Sequence, residues 1–179
     1  MLLCLDAVGL AADSDEEPRP AHAAWRANAA GLLEHARARG WSIGHVLSRR
    51  PRPGEAPWRP MAGLAPGPSE AVYHREQPSA FSSPELHAVL ATGPQWEVVL
   101  CGVSVRGSAL ATALDALLFT RRLTLATDAA WLPRIERDGV DGLLQLQRSG
   151  VASSVVRLAS TEALLRPWSP LRLVQGGRV

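Results

Sequence analysis

The sequence predicts an α/β fold built on a six-stranded, mostly parallel sheet. Short apolar runs alternate along the chain with segments of helical periodicity, which argues for strands and helices in alternation around one sheet. The chain has 179 residues, 46% of them apolar and 20% charged, which suits a single domain spanning 1–179 with a real core.

The strands are expected in "LLCLD", "WSIGHVLS", "EAVYHR", "WEVVLCGV", "RLTLAT" and "SSVVRLA". Between the first two, "AHAAWRANAAGLLEHARARG" reads as a crossover helix with an apolar face through Ala24, Leu32 and Ala36, ended by Gly40. In "SSPELHAVLATG", Ser83 caps a second helix and Pro84 takes its first position. A third helix, "SALATALDALLF", has Leu110, Ala113, Leu114 and Leu117 on one face and Ser108, Thr112 and Asp115 on another; the first face is expected in the core. "VDGLLQLQRSG" and "STEALLR" are weaker helical patterns, and "RPWSPLRLVQGGRV" reads as an extended tail. Two stretches read as loops: "ADSDEEPRP", and "RRPRPGEAPWRPMAGLAPGPSE" with its six prolines and four arginines. Both leave the carboxyl ends of strands, where open α/β sheets bind ligands, so Trp58 in the longer one is a candidate to cover a pocket.

Composition excludes several classes. The formal net charge is +2 and the 19 basic residues are scattered, which leaves no stripe for nucleic acid. All 19 are arginine, so no side-chain amine is present for Schiff-base or proton-transfer work. The opening "MLLCLDAVGL" has no basic leader and is interrupted by Asp6, no run is long enough for a membrane span, and a cytoplasmic protein is expected. Cys4 and Cys101 lie in strand-like runs and read as buried, inert thiols.

The segment "CGVSVRGSALATALDA" reads as a strand end, a glycine turn and a helix start, a geometry that aims Ser108 and several amides at one point. Asp6 follows "LLCL" and Arg75 follows "AVYH", which places three polar residues at the ends of three strands. Together with "LLCLDAVG", "VYHREQPSAF" and "LTLATDAA", this order resembles the isochorismatase-like, or cysteine hydrolase, superfamily over nearly the whole chain. The resemblance implies a three-layer α/β/α Rossmann-like fold and a triad of aspartate, lysine and cysteine. Those positions fall on Asp6, on Arg75 four residues before Ser79, and on Ser108 six residues after Gly102. Only the aspartate is kept. The resemblance also implies a cis peptide between Val103 and Ser104, with Val103, Ser104 and Gly107 shaping an oxyanion turn, and substrate contacts from Phe81 and Arg106. Nicotinamidases add a metal held by aspartate and histidines after the second strand, where His45 stands alone. Neither a metal nor a cofactor is expected.

The substitutions change the chemistry. A cysteine is activated by a modest base, whereas a serine needs a group placed to take its proton. His74 alternates with Arg75 along a strand and faces the other way. Three outcomes stay open: a hydrolase with an altered Asp-Arg-Ser triad, vinyl-ether cleavage with Asp6 as acid and Arg75 holding a carboxylate, and an inactive protein in which Asp6 and Arg75 form a structural ion pair. The expected partner is a small-molecule ligand. A homo-oligomer is also expected, since the family assembles commonly and "LLFTRRLTL" lies at a junction suited to such contacts.

Overall fold

The computed structural model describes residues 1–9, 20–48, 59–92, 97–104, 107–119, 122–150 and 155–166. In chain order the elements are β1 (Leu2–Leu5), β2 (Val8–Gly9), α1 (Pro20–Ala38), β3 (Ile43–Leu47), β4 (Arg59–Pro60), β5 (Ala71–His74), a 3-10 turn (Ala80–Ser82), α2 (Pro84–Thr92), β6 (Val98–Val103), α3 (Ser108–Leu118), β7 (Leu123–Trp131), α4 (Arg134–Arg148), β8 (Val156–Ala159) and α5 (Thr161–Leu165). The main sheet has the order β5-β3-β1-β6-β7-β8. Each of its pairings is parallel.

Alternation along the strands divides the core in two. Leu3, Leu5, Val98 and Leu100 face α2, α3 and α4, while Leu2, Cys4, Val99 and Cys101 face α1 and α5. The sheet is thus covered on both faces, and β1 is buried along its whole length. All six expected strands are present; β7 runs on to Trp131, and its pairing with β6 is irregular between Leu100 and Gly102.

Helix faces differ from the expectation. In α1 the buried residues are Trp25, Ala29, Leu32, Leu33 and Ala36, spaced by three and four, and Ala24 is exposed. In α3 the packed side extends past the expected face: Ser108, Ala109, Thr112, Ala113 and Ala116 are buried, Leu110 and Leu117 of the expected face are half-buried against the core, and Leu114 is exposed. Small side chains let this helix approach the sheet closely. Thr112 remains satisfied there, its Oγ1 donating to the Ser108 carbonyl at 2.6 Å and accepting from Ala80 N at 2.9 Å. The helix expected from residue 140 begins six residues earlier, at Arg134.

The described part of the long proline-rich stretch, from Arg59 on, holds regular contacts. β4 pairs antiparallel with β2, Met61 N donates to Ala7 O, and Leu64 is fully buried against the α1 face. Residues 49–58, with Trp58, lie outside the described residues, as do most of the acidic loop and the tail from 167. Among the described residues no helix is long and apolar enough to cross a membrane.

Candidate active site

Three chain segments meet at the carboxyl edge of the sheet. β1 is followed by Asp6, which has the positive φ of 38° that aspartate tolerates better than most residues. Its amide donates to Val46 O, which fixes the turn against β3. Arg75 follows β5, its own amide donating to Leu47 O. The two side chains meet in the interior: Arg75 Nη2 lies 2.5 Å from Asp6 Oδ2, with the side chains only 3% and 2% exposed. Asp6 Oδ1 accepts from Ser48 N at 2.7 Å, and Arg75 Nη1 donates to Gln77 O at 2.9 Å. Among the described residues Arg75 Nε is buried with no acceptor. Burial raises the Asp6 carboxyl above its ordinary value and outweighs the opposing pull of Arg75.

Two glycines flank the segment that leads into Ser108. Gly102 has φ 98°, and its Cα lies so close to β1 that a Cβ would stand 2.3 Å from Leu5 O. Gly107, at φ 78°, turns the chain into α3. Between them, the expected cis link from Val103 to Ser104 is absent: no described peptide is cis. Ser104 N donates to Trp131 O at 2.9 Å, so this amide is committed to β7 rather than turned inward as an oxyanion donor.

Ser108 opens α3 and is fully buried. Its Oγ lies 3.3 Å from Ser104 Oγ. Ser104 in turn donates to Glu136 Oε1 at 2.5 Å and accepts from Ala109 N at 2.9 Å. Glu136 Oε1 also accepts from Leu110 N at 2.8 Å. The expected triad residues thus enter two networks: Asp6 with Arg75, and Ser108 with Ser104 and Glu136. Glu136 was not expected from the sequence. It is an acid in a run of charges, "RIERD", and nothing in that run marks it as buried.

Phe81, expected against substrate, is instead buried in the α2–α3 side of the core, edge-to-face with Phe119 at 6.3 Å, beside a cavity of about 110 Å³. The 3-10 turn explains this, because Ser79 Oγ accepts from Phe81 N and holds the ring inward. Trp58 and Arg106 lie outside the described residues.

On the opposite face, Cys4 pairs in register with Cys101 on one side and His45 on the other. His45 Nε2 is 2.8 Å from Glu70 Oε2, and Arg37 Nε is 2.6 Å from Glu70 Oε1. Arg37, with help from Gly67 N and His45, holds the Glu70 carboxyl down at about 2. A lowered acid stabilises the fold above its unfolded pKa and loses that contribution as pH falls through the folded one. Glu70→Gln is therefore expected to cost on the order of 1 kcal/mol near pH 6, allowing for the partly exposed Arg37, and progressively less as pH falls toward the folded value. Burial pulls the His45 imidazole down, but Cys4 and Glu70 overcome it and leave it raised, so this histidine stays protonated through the acid window. Urea titrations between these limits check the difference, and a pH-independent cost contradicts it.

The sequence profile of the isochorismatase domain matches residues 1–137, more than three quarters of the chain. This chain belongs to the isochorismatase family. Its fold is shared with an isochorismatase-like hydrolase from Alkaliphilus metalliredigens, at 17% identity and a TM-score of 0.68, over 94% of this chain and 98% of that one. An isochorismatase from Pseudomonas putida KT2440 gives 22% and 0.66, over 90% and 87%. The N-carbamoylsarcosine amidase of Thermoplasma acidophilum gives 18% and 0.66, over 90% and 95%. A comparison with curated protein sequences gives no match. Within the family pattern, Asp128 of the "DAA" segment holds the structure together, since its Oδ1 accepts from the amide and hydroxyl of Thr161, both at 2.7 Å, and ties β7 to the start of α5.

Proposed function

We propose that this isochorismatase-family protein is an atypical small-molecule hydrolase in which Arg75 binds a substrate oxygen and Ser108 takes the place of the cysteine nucleophile. The observation that carries the reading is the Arg75 guanidinium. Two of its nitrogens are taken by Asp6 and Gln77, and the third, Nε, is buried without an acceptor among the described residues. A buried donor left unpaired costs about 1–3 kcal/mol, and a substrate carboxylate or carbonyl oxygen at Nε would remove that cost. The substrate class is a small amide or vinyl ether carrying a carboxylate.

One observation favours a second reading, a ligand-binding protein without turnover. Both oxygens of Asp6 are already occupied, by Ser48 N and by Arg75, so the aspartate is held as half of an ion pair. An assay of amides and vinyl ethers separates the two. For the hydrolase, wild type turns over a member of the panel, Ser108→Ala abolishes it, and Arg75→Gln lowers it at least about 100-fold. Turnover that appears only when Ser108→Cys and Arg75→Lys are combined marks the second reading. Turnover indifferent to Ser108→Ala but lost in Asp6→Asn moves the chemistry to acid cleavage by Asp6.

A further inference from the structure

We propose that Glu136, from α4, receives the Ser108 hydroxyl proton through Ser104, so that the nucleophile turn has a carboxylate base of its own. This rests on the reading of Ser108 as the reacting group, and it supplies what a serine there needs and the Asp6–Arg75 pair does not offer.

Counting protons gives the direction of the relay. An ionised Glu136 only accepts, and its Oε1 takes hydrogen bonds from Ser104 Oγ and Leu110 N. Ser104 has one hydroxyl proton, and that contact uses it. Its oxygen still accepts from Ala109 N. In the remaining contact, 3.3 Å from Ser108 Oγ, Ser108 is therefore the donor. Along these contacts the order is Ser108 O–H to Ser104 O–H to carboxylate. The 3.3 Å link is the long one, as catalytic hydrogen bonds often are before substrate arrives.

The surroundings hold a buried carboxylate next to the turn. Glu136 is 3% exposed and lies in the first turn of α4, and it faces the amino end of the 11-residue α3 through Leu110 N. Both helix ends favour negative charge there. Its second oxygen, Oε2, is buried with no donor among the described residues, which leaves acceptor capacity for a proton. The other ionisable side chains of the two helices are Asp115 on α3 and Arg134, Arg137, Asp138, Asp141 and Arg148 on α4, and among the described residues none is ion-paired with Glu136. Since Glu136 reaches the reacting oxygen only through Ser104, it is a positioning and relay residue. A purely structural acid would tie α4 to α3 equally well, so the test must read proton transfer.

Diisopropyl phosphorofluoridate provides that reading without any knowledge of the substrate. Ser108 Oγ attacks phosphorus, the O–P bond forms and the P–F bond breaks. Fluoride leaves, the Ser108 proton passes to Ser104, and the Ser104 proton passes to Glu136 and then to solvent. Mass spectrometry is expected to place the adduct on Ser108, and Ser108→Ala to remove it. The wild-type labelling rate is expected to rise through one ionisation and level off well below the range where a serine hydroxyl ionises. Glu136→Gln should slow labelling at least about 100-fold and replace the plateau with a continuous rise toward alkaline pH. Ser104→Ala should do the same with Glu136 in place. If Glu136→Gln does not fold, the wild-type pH profile and Ser104→Ala decide the matter. An unlabelled Ser108, a wild-type profile without a plateau, or variants that label at the wild-type rate overturn the proposal. Labelling that depends on Glu136 in a protein that hydrolyses no amide or vinyl ether sinks the proposed function and keeps the relay. Turnover that needs Ser108 and ignores Glu136 does the reverse.

Discussion

Arg75→Met is expected to destabilise the fold by about 3–5 kcal/mol at neutral pH, the cost of leaving one member of a buried ion pair alone. Asp6 and Arg75 are almost fully buried, and methionine fills much of the arginine's volume while removing both the charge and the donor to Gln77 O. The Asp6 carboxylate would keep Ser48 N as its partner and lose the cation. Asn at position 6 in the same chain is expected to restore most of the loss, because a neutral amide needs no counter-charge. The pH dependence has a definite sign. Burial already raises the folded Asp6 value above its ordinary 3.8, so the native state holds this proton more tightly than the unfolded chain does. Stability from this group is therefore greatest below the unfolded value and falls as pH rises through the folded one. Removing Arg75 raises the folded value further and steepens that fall. Urea titrations from about pH 3 to about pH 8 should show the Arg75→Met deficit growing with pH. A deficit that stays flat means that lost packing, not the stranded charge, is responsible.

The strands were readable because burial on both faces leaves a direct mark, an unbroken apolar run, and runs such as "LLCL" and "VVLCGV" are too short for helices and too apolar for surface loops. The helix faces were less readable. In α1, alanines stand on several sides, so composition could not separate Ala24 from Trp25; only the contact of Trp25 with the sheet does. In α3, leucines outweigh alanines on any hydropathy scale, yet close packing on the sheet selects the small face and leaves Leu118 78% exposed. The site divided along similar lines. Asp6 and Arg75 sit at strand ends, where position alone implies convergence. Glu136 converges on Ser104 only because α4 packs across α3, with Gly139 against Leu110, and pairings between helices leave no local trace.

Gly102→Ala is expected to prevent folding or to cost more than about 4 kcal/mol, at the far end of what single substitutions do. The added methyl would stand 2.3 Å from Leu5 O and 2.7 Å from Leu5 N, and both are backbone atoms of the central strand with no rotamer to yield. A φ of 98° adds a conformation that alanine avoids. Relief therefore requires β1 and β6 to part, and these strands are held by four registered pairs, from Leu2 with Val99 to Leu5 with Gly102. The damage would reach the site, because Leu5 immediately precedes Asp6 and Gly102 lies two residues before Ser104. Their close approach sets the spacing between the ion pair and the nucleophile turn. Gly31→Ala is the matching control: it lies inside α1 with nothing within 4 Å of the new methyl, and should add about 0.5–1 kcal/mol through helix propensity alone. Thermal melts of the two variants beside wild type are expected to move in opposite directions. If Gly102→Ala melts at the wild-type temperature, β1 and β6 can separate at little cost, and the account of how the sheet spaces Asp6 from the turn fails.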